Sequence, residues 1–324
     1  MKKINALILM ILLAVPASMA CTSAIVSGEL TENGRPLLWK NRDTGELNNK
    51  IERVAARKGE YEFVALFNSP DLNNSEAWIG YNIKGFAIMN TASYNLKDDD
   101  VKDMDKEGLV MAIALKKCVT VDDFEELLKT LPRPMGVEAN FGVIDAYGNG
   151  AYFETNNHSY TKFDLKDATD GILVRTNYSY SSDDVDGAYG YIREQNAKDI
   201  LAPYVASKSV TPAVFTEEVS KRFYHSLIGR DYADGVERWI VDQDFIPRRS
   251  SSASVVIEGV NSVEDVDLTT MWVGMGYPPV AELHPVWLWK DKSASMDSEL
   301  AADTETYRSK VCDRAMERKE KAFP

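Results

Sequence analysis

Cys21 stands directly after a stretch that reads as a secretory leader. Lys2 and Lys3 supply its positive start, Ala6 to Val15 its apolar part and Ser18-Met19-Ala20 a small-x-small cleavage site. Cleavage after Ala20 would make Cys21 the first residue of the chain, with both a thiol and a free α-amine. A free thiol has a pKa of about 8.5 and an α-amine one of about 7.7 to 8.0, so such an amine can take the thiol proton near neutral pH. One residue then serves as nucleophile and base. No histidine is needed, and His158, His225 and His284 stand in no obvious cysteine-protease setting.

Two other fates of this segment are less consistent with its residues. The apolar stretch is too short for a membrane anchor, which takes about 20 apolar residues. Lipidation of the Cys21 thiol would tether the chain as a lipoprotein, but that signal wants a Leu-like residue and a small residue where Ser18 and Met19 stand. The sequence favours a free Cys21 in an exported, periplasmic or secreted protein, with a membrane-tethered lipoprotein as the alternative.

The residues after Cys21 predict a β-hairpin. Ala24 to Val26 form one strand, Asn33-Gly34 is a strong turn signal, and Pro36 to Trp39 lead into the second strand. The hairpin returns Lys40, Asn41, Arg42 and Asp43 beside its own start. A carboxylate there can hold an α-ammonium or orient the amine, and a cation favours a thiolate.

With these residues in view, the chain resembles the amino-terminal-nucleophile hydrolases, in particular the choloylglycine hydrolase and acyl-coenzyme A:6-aminopenicillanate acyltransferase branches that cleave linear amides. The resemblance is carried by Cys21-Thr22 and by Lys40-Asn41-Arg42-Asp43, which matches a basic-Asn-x-Asp motif with Lys40 where arginine is usual. Arg42 is the other candidate for that cation. Gly80 to Asn90 matches a Gly-x-Asn-Glu-x-Gly-Leu turn and strand, with Ile83 in place of the common Glu. The resemblance makes Asn90 one oxyanion donor, while Asn82 suits the turn itself. Leu173 to Tyr178 contains the Thr176-Asn177 pair, whose asparagine would be the second donor. Such preorganised donors are each worth on the order of 3 kcal/mol in amide hydrolysis. Arg249, or Arg248 beside it, would supply a further site arginine. The Asn140 to Glu154 block reads as another hairpin, with Asp145 and Glu154 structural.

The resemblance spans residues 21 to about 257 and implies a four-layer αββα sandwich with two stacked antiparallel sheets. It implies an acyl-enzyme on Cys21, no cofactor and no metal. The substrate would be a small N-acyl amide: a bile-salt, penicillin or fatty-acyl amide. Acyl transfer to an amine, or an amino-terminal-cysteine dipeptidase, would use the same site. Tyr178, Tyr180, Met271-Trp272, Met275 and Trp287-Leu288-Trp289 could line an acyl pocket, although such residues are more often core.

Local patterns agree with a mixed α+β chain. Helices are predicted over Glu107 to Cys118, Val121 to Leu131 with Thr120 as cap, Val185 to Val205, Thr211 to Phe223, and a long charged Ser295 to Lys321. Strands surround these helices without a strict βαβ rhythm, which argues for antiparallel sheets. Removing residues 1–20 leaves 304 residues, enough for one large domain, with no Pro/Gly/Ser linker in view. Asp98 to Asp105 is an acidic run, most simply a solvated loop. The net charge of −13, made still more negative by loss of Lys2 and Lys3, leaves no basic face for nucleic acid. A homo-oligomer is compatible with the chain. Cys118 and Cys312 would remain as an even pair, either bonded across the terminal helix or buried as two free thiols.

Overall fold

The expected first hairpin forms. Thr22–Val26 (β1) lies antiparallel to Leu37–Asp43 (β2), with Thr22 opposite Asn41 and Val26 opposite Leu37. Gly34 takes φ 76° in the connection, a backbone state that glycine adopts without penalty. Alternation then sends successive side chains to opposite faces. Ala24, Val26, Leu37 and Trp39 enter one apolar cluster, and Ile25 and Leu38 enter another. A sheet apolar on both faces must be covered on both.

The computed structural model describes residues 20–96, 101–184, 189–233, 240–289 and 296–322. The leader up to residue 19, the start of the acidic run at 98–100, the first residues of the helix expected from 185, and residues 290–295 lie outside the described residues. After the first hairpin come β3 (Asn49–Val54), β4 (Phe63–Asn68), β5 (Ile79–Asn82), β6 (Ala87–Ala92), α1 (Glu107–Lys117), α2 (Val121–Thr130), β7 (Ala139–Ile144), β8 (Gly150–Thr155), β9 (Tyr160–Asp164) and β10 (Ile172–Arg175). Then follow α3 (Tyr191–Ser207), a π-helical turn over Val214–Val219, the two-residue pair β11 (Tyr224–His225) and β12 (Arg230–Asp231), β13 (Ser251–Glu258), β14 (Thr270–Met275), β15 (Leu283–Val286) and α4 (Lys310–Ala322).

Among the described residues one antiparallel sheet runs β10-β1-β2-β13-β14-β15 and the other β3-β4-β5-β6-β7-β8-β9. The sheets stack through the cluster that holds Ile25, Leu38, Val255 and Met89. α1 and α2 cover the outside of the second sheet, where Phe124 meets Phe86, Phe141 and Phe153. α3 and the π-helical turn cover the outside of the first, where Phe215 stacks on Trp39 at 5.0 Å between ring centres. The architecture is therefore the expected αββα sandwich of the α+β class.

Several local expectations hold. Thr120 caps α2 in a reciprocal capping box with Asp123. Asn82 closes its turn by accepting from the Lys84 and Phe86 amides, and Gly85 takes φ 79° there. Asp145 binds the Tyr147 and Asn149 amides of its turn and the Val121 amide at the start of α2. Glu154 pairs with the buried Arg175 at 2.7 Å.

Other expectations need correction. The long terminal helix shrinks to Lys310–Ala322, because residues 301–309 run as turns, with Tyr307 at φ 57°. α3 begins at Tyr191, since Gly190 before it sits at φ 92°. The helix expected over Thr211 to Phe223 is a wide π turn of six residues. For Cys118 and Cys312 no correction is needed, since of the two alternatives given the free, buried thiols are the one present. Thr120→Ala should remove one side of the α2 capping box and lower the unfolding free energy by about 1 kcal/mol in urea titration with an unchanged slope.

Candidate active site

The β1–β2 pairing brings residue 21 next to residue 43. The Cys21 Sγ lies 3.7 Å from the Asp43 carbonyl oxygen, and the residue is only 6 % exposed. Alternation on β2 then divides the expected Lys40 to Asp43 block between two faces. Lys40 and Arg42 point to the second sheet, while Asn41 and Asp43 point to the helical side. Lys40 Nζ donates to the Trp78 carbonyl at 3.0 Å and to Asn90 Oδ1 at 2.8 Å. Arg42 donates to Asn49 and Asn68, and its guanidinium lies 4.8 Å from the centre of the Trp78 ring. On the other face Asp43 accepts from Asn41 and from Ser251 at 2.5 Å, and Arg248 Nε stands 3.3 Å from its Oδ2.

Arg248, rather than Arg249, is thus the arginine at this cluster. Arg249 is exposed; its amide is held by Asp242 and its carbonyl by Lys319. The two residues belong to the loop before β13, where no strand alternation announces which side chain turns inward.

Asn177 is buried just after β10, in a segment pinned by Asn140, which donates to the Thr176 and Tyr178 carbonyls. Its Nδ2 donates to the Ala92 carbonyl at 3.0 Å and its Oδ1 accepts from Arg193 at 2.7 Å. Arg193 also donates to the Cys21 carbonyl at 2.7 Å and to Thr22 Oγ1 at 3.0 Å. Cys21 and Asn177 are therefore joined through one guanidinium, and Asn90 is tied to β2 through Lys40. Arg193 has no counterpart in the sequence-based expectations. An arginine in the first turn of a helix carries no signal that it turns inward, and its partners lie 172, 171 and 16 residues away.

Burial dominates the electrostatics. It lowers Lys40 to about 8, with the Cys21 charge opposing the shift, and lowers Arg42 and Arg193 each to about 10. Burial also raises Asp43 to about 6, against the pull of Arg248 and Arg193. Close to Cys21 the described side chains thus present an excess of cations, which suits a site where negative charge must develop. Tyr94, whose hydroxyl burial holds well above the usual range, borders the same cluster. Of the aromatic and methionine residues weighed for an acyl pocket, Met271 and Met275 are fully buried core, and both Tyr178 and Tyr180 donate to Glu194. A polar cavity of about 750 Å³ lies elsewhere, lined by Ser27, Lys162, Asp164 and Lys208 beyond the other end of β1. Among the described residues no cluster of three or more His, Cys, Asp or Glu side chains is arranged to hold a metal, and no helix is long and apolar enough to cross a membrane.

No family model matches the chain, and no curated protein matches it in sequence. Solved structures do resemble it in shape. An N-acylethanolamine-hydrolyzing acid amidase ortholog from Caenorhabditis elegans is 12% identical, covering 83% of this chain and 100% of its own, with a TM-score of 0.49. A mutant form of the conjugated bile acid hydrolase from Clostridium perfringens is 12% identical over 86% of this chain and 99% of its own, with a TM-score of 0.47. The penicillin V acylase from Agrobacterium tumefaciens is 11% identical over 91% of this chain and 96% of its own, with a TM-score of 0.48.

The three thiols should differ sharply in reactivity. Burial pushes Cys118 up to about 12 and Cys312 up to about 11, so both stay protonated at pH 8. Brief iodoacetamide treatment of native protein at pH 8 should therefore add a single label, at Cys21 by peptide mapping. Comparable labelling of all three would contradict the burial of Cys118 and Cys312.

Proposed function

We propose that this chain is an exported amide hydrolase of the amino-terminal-nucleophile type, with Cys21 as nucleophile once residues 1–20 are removed. The observation that carries this reading is the set of contacts built around residue 21 from four separate segments: on β2 the Asp43 carbonyl faces the Cys21 thiol, on α3 Arg193 binds the Cys21 carbonyl and the carboxamide of Asn177 in the Thr176-Asn177 segment, and in the loop before β13 Arg248 pairs with the Asp43 carboxylate.

In this mechanism the α-amine of Cys21 takes the thiol proton as Sγ attacks the amide carbon. The S–C bond forms and the carbonyl π pair moves onto oxygen. Asn177 and Asn90 donate to that oxyanion through their side-chain N–H groups. Collapse breaks the C–N bond, and the leaving amine takes the proton from the α-ammonium. Water then adds to the thioester with the amine again as base, the S–C bond breaks, the acid departs and the thiol is restored. Asp43, kept as a carboxylate by Arg248, holds the α-ammonium. Lys40 and Arg42 offset the negative charge of the sulfur and tie the strand to the second sheet. The substrates are small N-acyl amides, of the bile-salt, penicillin or fatty-acyl kind.

The test is intact mass and amino-terminal sequencing of protein from an exporting host, followed by a panel of N-acyl amides and free dipeptides. Protein beginning at free Cys21 is expected to cleave N-acyl amides, and Cys21→Ser to lose at least about a thousandfold of that activity. A lipid on Cys21, or cleavage of dipeptides alone, would overturn the reading.

The pH profile gives a second check. Protonation of the α-amine begins to lower kcat/KM below about 8, and because Asp43 is ionised only above about 6 the fall should steepen as pH drops through that value. Lys40 loses its charge above about 8, so a high-pH limb is expected there. Lys40→Arg, whose guanidinium keeps its charge, should move that limb upward and leave the acid limb in place. An unmoved alkaline limb would remove Lys40 from the titration.

A further inference from the structure

Arg193 is buried in the first turn of α3 and makes a bridge of three hydrogen bonds, to the Cys21 carbonyl, to Thr22 Oγ1 and to Asn177 Oδ1. A guanidinium can only donate and a carbonyl can only accept. The partners of Asn177 therefore fix the orientation of its carboxamide without ambiguity. Its oxygen must face Arg193, and its nitrogen must face the Ala92 carbonyl.

A cation on the oxygen of an amide also draws electron density from its nitrogen, which strengthens the N–H groups as donors. The same guanidinium grips the backbone of the nucleophile residue. We infer that Arg193 is a positioning residue of the site: it locks and polarises the Asn177 carboxamide as oxyanion donor and sets its distance from Cys21.

The local backbone is shaped for this guanidinium. Gly190, at φ 92°, packs so closely that a β-carbon there would overlap Arg193 Nη2 and lie 2.9 Å from Thr176 Oγ1. Thr176 in turn donates to the Gly190 carbonyl at 3.1 Å, which couples the start of α3 to the residue before Asn177. Arg193 therefore occupies a slot that the glycine leaves open, and the Thr176-Asn177 pair forms one side of it.

The inference deepens the amide-hydrolase reading and rests on it for its kinetic arm. Arg193→Met and Arg193→Lys are compared with wild type as the mature protein, with thermal melting to confirm that each variant is folded. For the best N-acyl amide, kcat/KM is expected to fall on the order of 100-fold in Arg193→Met, in kcat with KM changed by less than about threefold. An acyl aldehyde, which adds Sγ at its carbonyl carbon and places its oxygen where the oxyanion forms, should lose affinity by a similar factor. The unreactive alcohol analogue should bind as before. Arg193→Lys should recover part of the loss, and Gly190→Ala should reproduce it with Arg193 still present.

A second arm does not depend on turnover. In protein labelled with nitrogen-15 at asparagine, the Asn177 side-chain amide signals, assigned by their loss in Asn177→Ser, are expected to shift in Arg193→Met and Gly190→Ala. Unmoved Asn177 signals, or a loss confined to KM with unchanged aldehyde affinity, would overturn the role of Arg193 while leaving an active amide hydrolase in place. Shifted signals in a protein that cleaves nothing on the panel would sustain the positioning role and overturn the functional reading instead.

Discussion

Bringing Lys40, Arg42, Arg193 and Arg248 together in the interior is the constraint around which this structure is arranged. Removing such charges from water is expensive unless each finds acceptors. Each does so in a different way. Lys40 binds a backbone carbonyl and a carboxamide, and Arg42 binds two carboxamides above an indole ring. Arg193 binds a carbonyl, a hydroxyl and a carboxamide, and Arg248 binds the Gln243 carbonyl and faces Asp43. Most of these acceptors are neutral. The cluster is held by dipoles rather than neutralised by carboxylates, so it retains the capacity to stabilise negative charge placed among its members.

The two sheets divide this work. The first sheet supplies Cys21 and the residues that border it, through β1, β2 and the segments that flank β10 and β13. The second sheet supplies neutral acceptors that anchor two of the cations, Lys40 and Arg42: Asn49, Asn68 and Asn90 come from β3, β4 and β6. A cation from one sheet that ends on an amide of the other also fixes how the sheets sit over each other, a registration that apolar packing alone leaves loose.

Much of this was legible in the sequence wherever the signal was local. The Asn33-Gly34 turn, the Asn82-Gly85 turn, the Thr120 cap and the Asn140 to Glu154 hairpin each depend on residues within a few positions of one another. Asn177 was legible only through its neighbour Thr176 and the order of other motifs. What sequence reading missed depends on long-range placement. Arg193 reads as an ordinary exposed helical arginine until the fold sets it beside Cys21. Arg249 and Arg248 are equivalent in a loop until Asp43 selects one. The charged terminal stretch has strong helical composition, yet Tyr307 at φ 57° and the turns around it stop the helix from reaching back beyond Lys310.

The parity of β2 has a consequence for how the chain can change. Leu38, Lys40 and Arg42 belong to one face and Trp39, Asn41 and Asp43 to the other, so a slip of one residue against β1 would exchange the carboxylate with the cations and an indole with a leucine. Insertions in the connection between Val26 and Leu37 are harmless only when they bulge outward and leave that odd–even phase intact. Loop length here is free to drift, but the phase of the strand that follows is not.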